Sequence, residues 1–339
     1  MTTTEPVPEE ILDPTLPIID SHHHLSDRRK PGPDVLGPPT RYLVDEYADA
    51  VGGGHNVIAS VCVQSSAMYR ADGPEELKPV GETEFLNGQA AMSASGLYGN
   101  CRIGAGIVSY ADLTLGDRVD RVLEAHMAAA PQRFRGVRQG GMWDEDASLV
   151  GWLADLGPRF YARDDFRRGF ARLAGFGMTF DAFVLAPQLL DVHDLARAFP
   201  GTEIVLNHVG QPLGSGRYAG RMHEFFGQWK ADVETVATNP NVKIKMGGLG
   251  TMLSAFPSFR ADPPFPSGAL AEQWRPYVET AIEAFGAERC MFESNLPMDS
   301  SGPFVNVCNA FKLMTKGCSE PERRAFFAGT AASFYRLDV

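Results

Sequence analysis

Along this chain, short runs of β-branched and apolar residues alternate with longer segments whose apolar positions fall at helical spacing. That is the rhythm of repeated βα units. The strand-like runs are LPIIDSH, NVIASVCVQ, CRIGAGIVSY, FRGVRQ, MTFDAFVLA, TEIVLNHV, NVKIKMGG and RCMFES. Between them lie the helical patterns YLVDEYADAV, FLNGQAAMSASG, RVDRVLEAHMAAA, DDFRRGFARLAGF, LLDVHDLARAF, EFFGQWKADVETVA and YVETAIEAFG, and FVNVCNAFKLMTKG and PERRAFFAGTAASFYRL close the chain. Eight strands, each followed by helical sequence, predict an α/β protein: a single-domain (β/α)8 barrel over residues 14–339, with residues 1–13 as an N-terminal extension. An open doubly wound sheet is the competing arrangement, but no GxGxxG turn follows the first strand to support it.

Two insertions break the rhythm. Residues 65–80 (SSAMYRADGPEELKPV) follow the second strand, and residues 249–267 (LGTMLSAFPSFRADPPFPS) follow the seventh. Both fall on the C-terminal side of strands, where a barrel builds its site, and are expected to wall or cover a pocket. The Pro/Gly-rich stretch 31–39 reads as a loop after strand one.

Composition narrows the partners. A formal net charge of −11, from 42 acidic against 31 basic residues with no acidic tail, argues against binding nucleic acid or anionic lipid. A small anionic substrate stays open, because the field in a cleft is local. The five cysteines form no CxxC pair, as expected of a reducing compartment. Neither a basic-then-apolar leader nor an apolar run of membrane-spanning length occurs. The expectation is a cytoplasmic protein that avoids membranes.

The candidate chemistry gathers at strand ends. Side chains two apart on a strand share a face, so His22 and His24 point together into the barrel mouth and His23 points away. Paired neutral imidazoles suit zinc-like metals, or hydrogen bonds to a carbonyl oxygen. His208 ends the sixth strand and is the natural third imidazole. Arg138 ends FRGVR, where a guanidinium can hold a carboxylate through two parallel hydrogen bonds. Arg135 falls on the other face, with a surface ion pair as its expected role. Lys245, inside the seventh strand, is costly to bury unless paired and is a further substrate-binding candidate, as are Gln64 and Tyr69 from the second strand and its loop. The eighth strand ends MFESNLPMD. A carboxylate here would be the expected base, yet Asn295 stands at that place, leaving Glu293 or Asp299 to supply it; capping the next helix is an equally good role for Asp299. Glu82 and Glu84 meet the dipole at a helix start. His55, His126, His193 and His223 read as surface or packing residues.

Together these segments resemble the amidohydrolase superfamily, in particular its amidohydrolase-2 branch of TIM-barrel lactonases and decarboxylases. IIDSHHHL looks like the first-strand D-x-H-x-H motif, VLNHVGQP like the later His-containing strand, FRGVR like the fourth-strand Arg segment, MFESNLP like the eighth-strand S-D-x-P segment and GTAASFYRL like the terminal helix. The resemblance implies that His22 and His24 bind a divalent metal or contact substrate, and that His208 binds metal or polarises a carbonyl. The chain departs from the pattern at Asn295 and in a fifth strand without His, and its fourth strand lacks the bridging Lys or Glu of two-metal members. The expected function is hydrolysis of a small carboxylated lactone or related ester. His22, His24 and His208 polarise the carbonyl with or without one divalent metal, zinc first among candidates, Arg138 holds the carboxylate, and Asp299, or the metal where one is bound, activates water. The alternatives are a metal-dependent non-oxidative decarboxylase or hydratase, and a non-catalytic binding protein on the same scaffold. By analogy with the family, a homo-oligomer is expected.

Overall fold

The computed structural model describes residues 9–29, 41–150 and 156–339. The loop expected over 31–39 and most of the 1–13 extension lie outside them. Eight strands, β1 Ile18–His23, β2 Val57–Val63, β3 Arg102–Ser109, β4 Phe134–Arg138, β5 Thr179–Ala182, β6 Ile204–Leu206, β7 Val242–Lys245 and β8 Cys290–Met291, pair in sequence order. Every pairing between neighbours is parallel.

The first and last strands meet through backbone bonds just past the end of β8. The Ser21 amide donates to Phe292 O at 3.1 Å, Asn295 N to His22 O at 2.8 Å and His24 N to Leu296 O at 2.8 Å. Asp20 reinforces the seam, its carboxylate accepting from the Ser294 amide at 2.8 Å, the Ser294 hydroxyl at 2.5 Å and the Tyr47 hydroxyl at 2.8 Å. The result is the (β/α)8 barrel that the alternation of elements predicts.

One helix follows each strand: α1 Val44–Val51, α2 Val80–Ser93, α3 Val119–Ala129, α4 Asp164–Gly175, α5 Leu189–Ala198, α6 Met222–Ala237, α7 Ser267–Phe285 and α8 Phe304–Met314. In α4, Asp164 and Asp165 occupy the first turn and Arg172 the last, favourable ends for the helix dipole. Its Phe166, Phe170 and Leu173 form the buried stripe. Each large side chain is worth about 1.5–3 kcal/mol of burial, and Phe170→Ala should cost about 3–5 kcal/mol. Two helices start earlier than their apolar pattern indicates. In α7 the sequence reading stops at Pro276, which the structure accommodates inside the helix. In α2 the first turn carries Glu82, whose side chain is buried rather than displayed.

The core has two layers. A large cluster fills the space between strands and helices, and a smaller one occupies the barrel interior with Ile19, Val61, Val108, Val205 and Met291. The interior cluster continues into Phe334, Tyr335 and Leu337 of the terminal segment. That segment plugs the N-terminal end of the barrel. Lys243, early in β7, lies 5.4 Å from the Phe334 ring centroid, Arg102 at the start of β3 donates to Asp338 O, and Arg336 donates to Arg135 O. The strand-end candidates lie at the other end. Among the described residues, no helix is long and apolar enough to cross a membrane.

Candidate active site

The β1 histidines divide as their alternation predicts. A register irregularity between Asp20 and His23 lets Asp20 face the seam while His22 turns inward. His23 turns outward, stacks on Tyr47 at 3.8 Å and bonds Ser60 Oγ at 2.8 Å. His22 and His24 share the mouth with ring centroids 4.9 Å apart, and His208 lies 4.7 Å from His22. His24 donates from Nδ1 to Val63 O at 2.8 Å, which leaves Nε2 without that proton.

His22 is surrounded by cations. Arg138 Nη1 is 3.2 Å from its Nε2, and Lys245 Nζ is 3.2 Å from its Nδ1. Burial, together with the Lys245 and Arg138 charges, holds the ring well below the usual histidine range, so it is neutral. Lys245 is completely buried at the end of β7 and pairs with Asp181 Oδ2 at 2.7 Å. Asp181 also accepts from Asn207 Nδ2 at 3.1 Å and from the Tyr335 hydroxyl at 2.9 Å and 3.0 Å. Arg138 donates to Gln64 O, while its Nε is buried with no hydrogen-bond partner among the described residues.

His208 sits in a turn where His208, Val209, Gly210 and Gln211 all have positive φ, from 45° to 69°. A β-branched residue such as Val209 pays heavily for that conformation, and such strain concentrates at functional sites. The turn aims His208 Nδ1 at Glu293 Oε1, 3.0 Å away, and the amides of His208 and Gly247 each donate to the same oxygen at 3.1 Å. Two glycines after β7 make this possible. A Cβ on Gly247 would lie 2.4 Å from Glu293 O and 2.6 Å from its Cγ, and one on Gly248 would lie 2.4 Å from the His208 side chain. A carboxylate only accepts, so Nδ1 of His208 carries the proton and Nε2 is its basic face.

The two acid candidates resolve differently. Glu293 is central. The Asp299 carboxyl is enclosed even though the residue as a whole is half-buried; its Oδ1 has no hydrogen-bond partner among the described residues, and a Cβ on Gly250 would lie 1.8 Å from it. Burial and the nearby Glu293 charge push it well above the usual carboxylate range, against backbone hydrogen bonds from Gly248, Gly250 and Ser300. It does not cap α8, whose preceding residue is Pro303. Asn295 is a turn residue with φ 53°, its carbonyl accepting from Met298 N at 2.9 Å and Asp299 N at 3.0 Å.

Around the rim, Gln64 Oε1 accepts from the Ser66 amide at 3.1 Å, and the Gln64 backbone carbonyl accepts from Arg138. Glu82, expected to serve a helix dipole, binds the loop after β2 through Oε1, which accepts from Ser65 N at 2.8 Å, Ser65 Oγ at 3.1 Å and Ala67 N at 3.2 Å. Burial pushes its carboxyl up to about 7. Tyr69 is half-buried in this loop, its phenol pushed up by burial and by the Glu82 charge. Glu84 pairs with Arg70 on the surface. Arg135 forms no surface ion pair among the described residues; it donates to the backbone carbonyls of Gln132 at 2.6 Å and Phe134 at 3.3 Å, because it lies against the turn preceding β4.

Asp181 and Tyr335 were not singled out in the sequence. An acid inside the apolar run MTFDAF, opposite a lysine inside VKIKM, is a signal for the first. Nothing local marks Tyr335.

His22, His208 and Glu293 bring ligand atoms within 4.8 Å of one another, a group of the kind that could hold a metal ion; His24 is not part of it. Glu293 Oε2 lies 3.1 Å from His22 Nδ1, outside hydrogen-bond geometry. A divalent ion would need to approach an imidazole nitrogen to about 2.0–2.1 Å. At either nitrogen of His22 it would meet Arg138 or Lys245, each 3.2 Å from that nitrogen. As arranged, the residues do not fit a resident ion unless one of these cations moves.

A closed parallel barrel whose C-terminal mouth gathers three imidazoles, a carboxylate and two buried cations defines an enzyme of the TIM-barrel type. The family model described as amidohydrolase matches residues 19–337, and the chain belongs to that family. Membership sets aside the alternative of a non-catalytic binding protein. An uncharacterized protein y4mH of Sinorhizobium fredii is 33% identical over 336 residues, covering 94% of this chain and 98% of that one. An L-fucono-1,5-lactonase of Burkholderia multivorans is 26% identical over 322 residues, covering 94% and 96%. A solved amidohydrolase from Burkholderia multivorans with bound zinc is 25% identical, with a TM-score of 0.72 and coverage of 94% of this chain and 99% of that chain.

Proposed function

We infer that the enzyme hydrolyses a small lactone, and that the ring substituent facing Arg138 is a carboxylate. The carrying observation is a surplus of N–H donors. Neutral His22 has one nitrogen free to accept, yet Arg138 and Lys245 both point at its ring, and Arg138 Nε has no hydrogen-bond partner among the described residues. A ligand oxygen with spare lone pairs relieves that surplus. A carbonyl oxygen does so increasingly as it becomes an oxyanion, which is how a site favours the transition state over the substrate.

Water is activated at His208. Its Nδ1–H is fixed by Glu293, so Nε2 accepts the proton as the water oxygen bonds to the carbonyl carbon. The ring C–O bond then breaks, and the departing alkoxide takes a proton. Asp299, expected from the sequence to be the base, has its carboxyl shifted upward by burial and so suits the donor's part instead. His24 contributes to orientation through its Nε2. The lactonase name of the Burkholderia relatives agrees with this chemistry.

The test is a pH-indicator screen of neutral sugar 1,5-lactones against carboxylated lactones, with metal content measured on the same protein. Turnover of lactones at sub-stoichiometric metal, lost in His208→Asn, is the expected result; no lactone turnover above that variant rules a lactonase out. A second reading, a decarboxylase or hydratase holding one zinc ion at His22, His208 and Glu293, is favoured by the convergence of those three residues. Bound there, zinc would supply Lewis acidity. Stoichiometric zinc with decarboxylation of an aromatic acid would establish it.

A further inference from the structure

The terminal segment that plugs the barrel floor also reaches the chemistry. The Tyr335 hydroxyl donates to both oxygens of Asp181, at 2.9 Å and 3.0 Å. Asp181 Oδ2 accepts from Lys245 Nζ at 2.7 Å, and the same Nζ is 3.2 Å from His22 Nδ1. Lys245 also lies 5.3 Å from the Tyr335 ring centroid, so ring and hydroxyl hold the lysine–aspartate pair from below. All four side chains are fully buried. In so enclosed a place, an ammonium is positioned by its hydrogen-bond partners rather than by solvent.

We propose that Tyr335 is a positioning residue of the active site, acting through Asp181 and Lys245 on His22. Among the described residues, Asp181 Oδ1 accepts only from Tyr335, while Oδ2 accepts from Lys245, Asn207 and Tyr335. Without the phenol hydroxyl, Oδ1 has no partner, the carboxylate is free to rotate about its own axis, and the lysine loses its fixed anchor. Lys245 would then shift against His22, whose crowded donor environment is what receives the developing oxyanion. Burial and the Asp181 charge push the Tyr335 phenol well above its usual range, so it remains a donor throughout the working pH. The importance of the lysine to turnover rests on the lactonase assignment, whereas the coupling from Tyr335 to His22 does not.

Tyr335→Phe tests it, because it keeps the ring and removes only the hydroxyl. The expected result is a fall in kcat of about ten-fold, a loss the size of one buried hydrogen bond. KM should change little, and the pH profile of kcat should move. The ring-nitrogen NMR signals of His22, identified by their absence in His22→Gln, should shift although Tyr335 does not touch His22. A Tyr335→Phe protein that folds with wild-type kcat and unshifted His22 signals overturns the proposal, since a residue that only packs the floor would behave that way. If Tyr335→Phe fails to fold, Asp181→Asn takes its place: shifted His22 signals support the chain of contacts, and unshifted ones overturn it. Should the signals shift in a protein that hydrolyses no lactone, the positioning role stands and the lactonase assignment alone falls.

Discussion

Two lysines, Lys245 and Lys312, are completely buried, and the protein treats them in opposite ways. Lys312, on α8, has three N–H donors and three acceptors: Leu12 O at 2.7 Å, Asp13 O at 3.0 Å and His55 Nδ1 at 2.8 Å. Its capacity is used up in fastening the start of the described chain to the barrel. Lys245 has one good acceptor in Asp181 and shares a second, His22, with Arg138. Burial of charge is therefore no mark of function by itself. What separates the two places is whether the donors present find acceptors within the protein.

The largest effect should come from the unsatisfied side. His208→Asn keeps a residue that tolerates positive φ but removes the imidazole held by Glu293. Turnover of the best lactone should fall roughly 10²- to 10⁴-fold, as for loss of a general base, with the thermal midpoint nearly unchanged. Retention of most activity would mean that His208 is a satisfied group like Lys312, and the contrast would collapse.

The satisfied side should answer with stability instead. Lys312→Met leaves the buried His55 Nδ1 and the part-buried carbonyls of Leu12 and Asp13 without their donor, so urea unfolding should show a loss of about 1–3 kcal/mol. Turnover per folded molecule should not change. A variant of unchanged stability and impaired turnover would reverse the assignment.

How much of this contrast can be read from sequence follows from where each partner lies along the chain. Strand count, parallel order and the facing of His22, His23 and His24 follow from local periodicity, and the structure agrees. The burial of Lys245 follows from its place inside an apolar strand. Its partner does not, because Asp181 comes from another strand and Tyr335 lies far along the chain in the terminal helix. Glu293 was legible as one of two candidate acids. The choice between it and Asp299 depends on which backbone amides converge on which oxygen, and that requires the turn after β6 and the glycine pair after β7 in three dimensions. Glu82 does stand in the first turn of its helix, as the sequence indicates, but its burial and its hold on the loop after β2 depend on where that loop folds.

Acidification sharpens the contrast by a smaller amount. His126 and His55 are buried with both ring nitrogens engaged and His23 is buried with its Nε2 engaged, and burial pulls them down to about 4, 4 and 3. They stay neutral in the folded state while the unfolded chain takes up protons below its ordinary value near 6.5, so stability falls as pH drops below 6.5. Glu82 and Asp20 act in the opposite sense. Raised by burial to about 7 and about 6, they bind protons more tightly when folded and return stability on acidification through those values. Three histidines against two carboxyls leave a net loss on the order of a few kcal/mol between pH 7 and pH 5. Urea midpoints that rise over that interval would show that the carboxyls dominate.

The smallest effect should come from a group between the two kinds. Glu82 has one oxygen fully engaged by Ser65 and Ala67, while its Oε2 is buried with no hydrogen-bond partner, near enough to Arg138 for its charge to be felt. Glu82→Gln keeps the shape and an acceptor for the loop amides but removes the charge. The loop should stay in place, held a little less tightly, with a change in stability at pH 7 of about 1 kcal/mol or less. Arg138, at the end of β4, is relieved of a competing anion and should hold a carboxylated substrate slightly more tightly. KM should therefore fall about two- to five-fold, a shift of roughly 1 kcal/mol or less in substrate binding, while kcat holds. The return of stability on acidification through pH 7 should be lost with the carboxyl. A fall in kcat at constant KM would place Glu82 with His208 among the groups that act on the reacting atoms, and the loop would then be more than a wall.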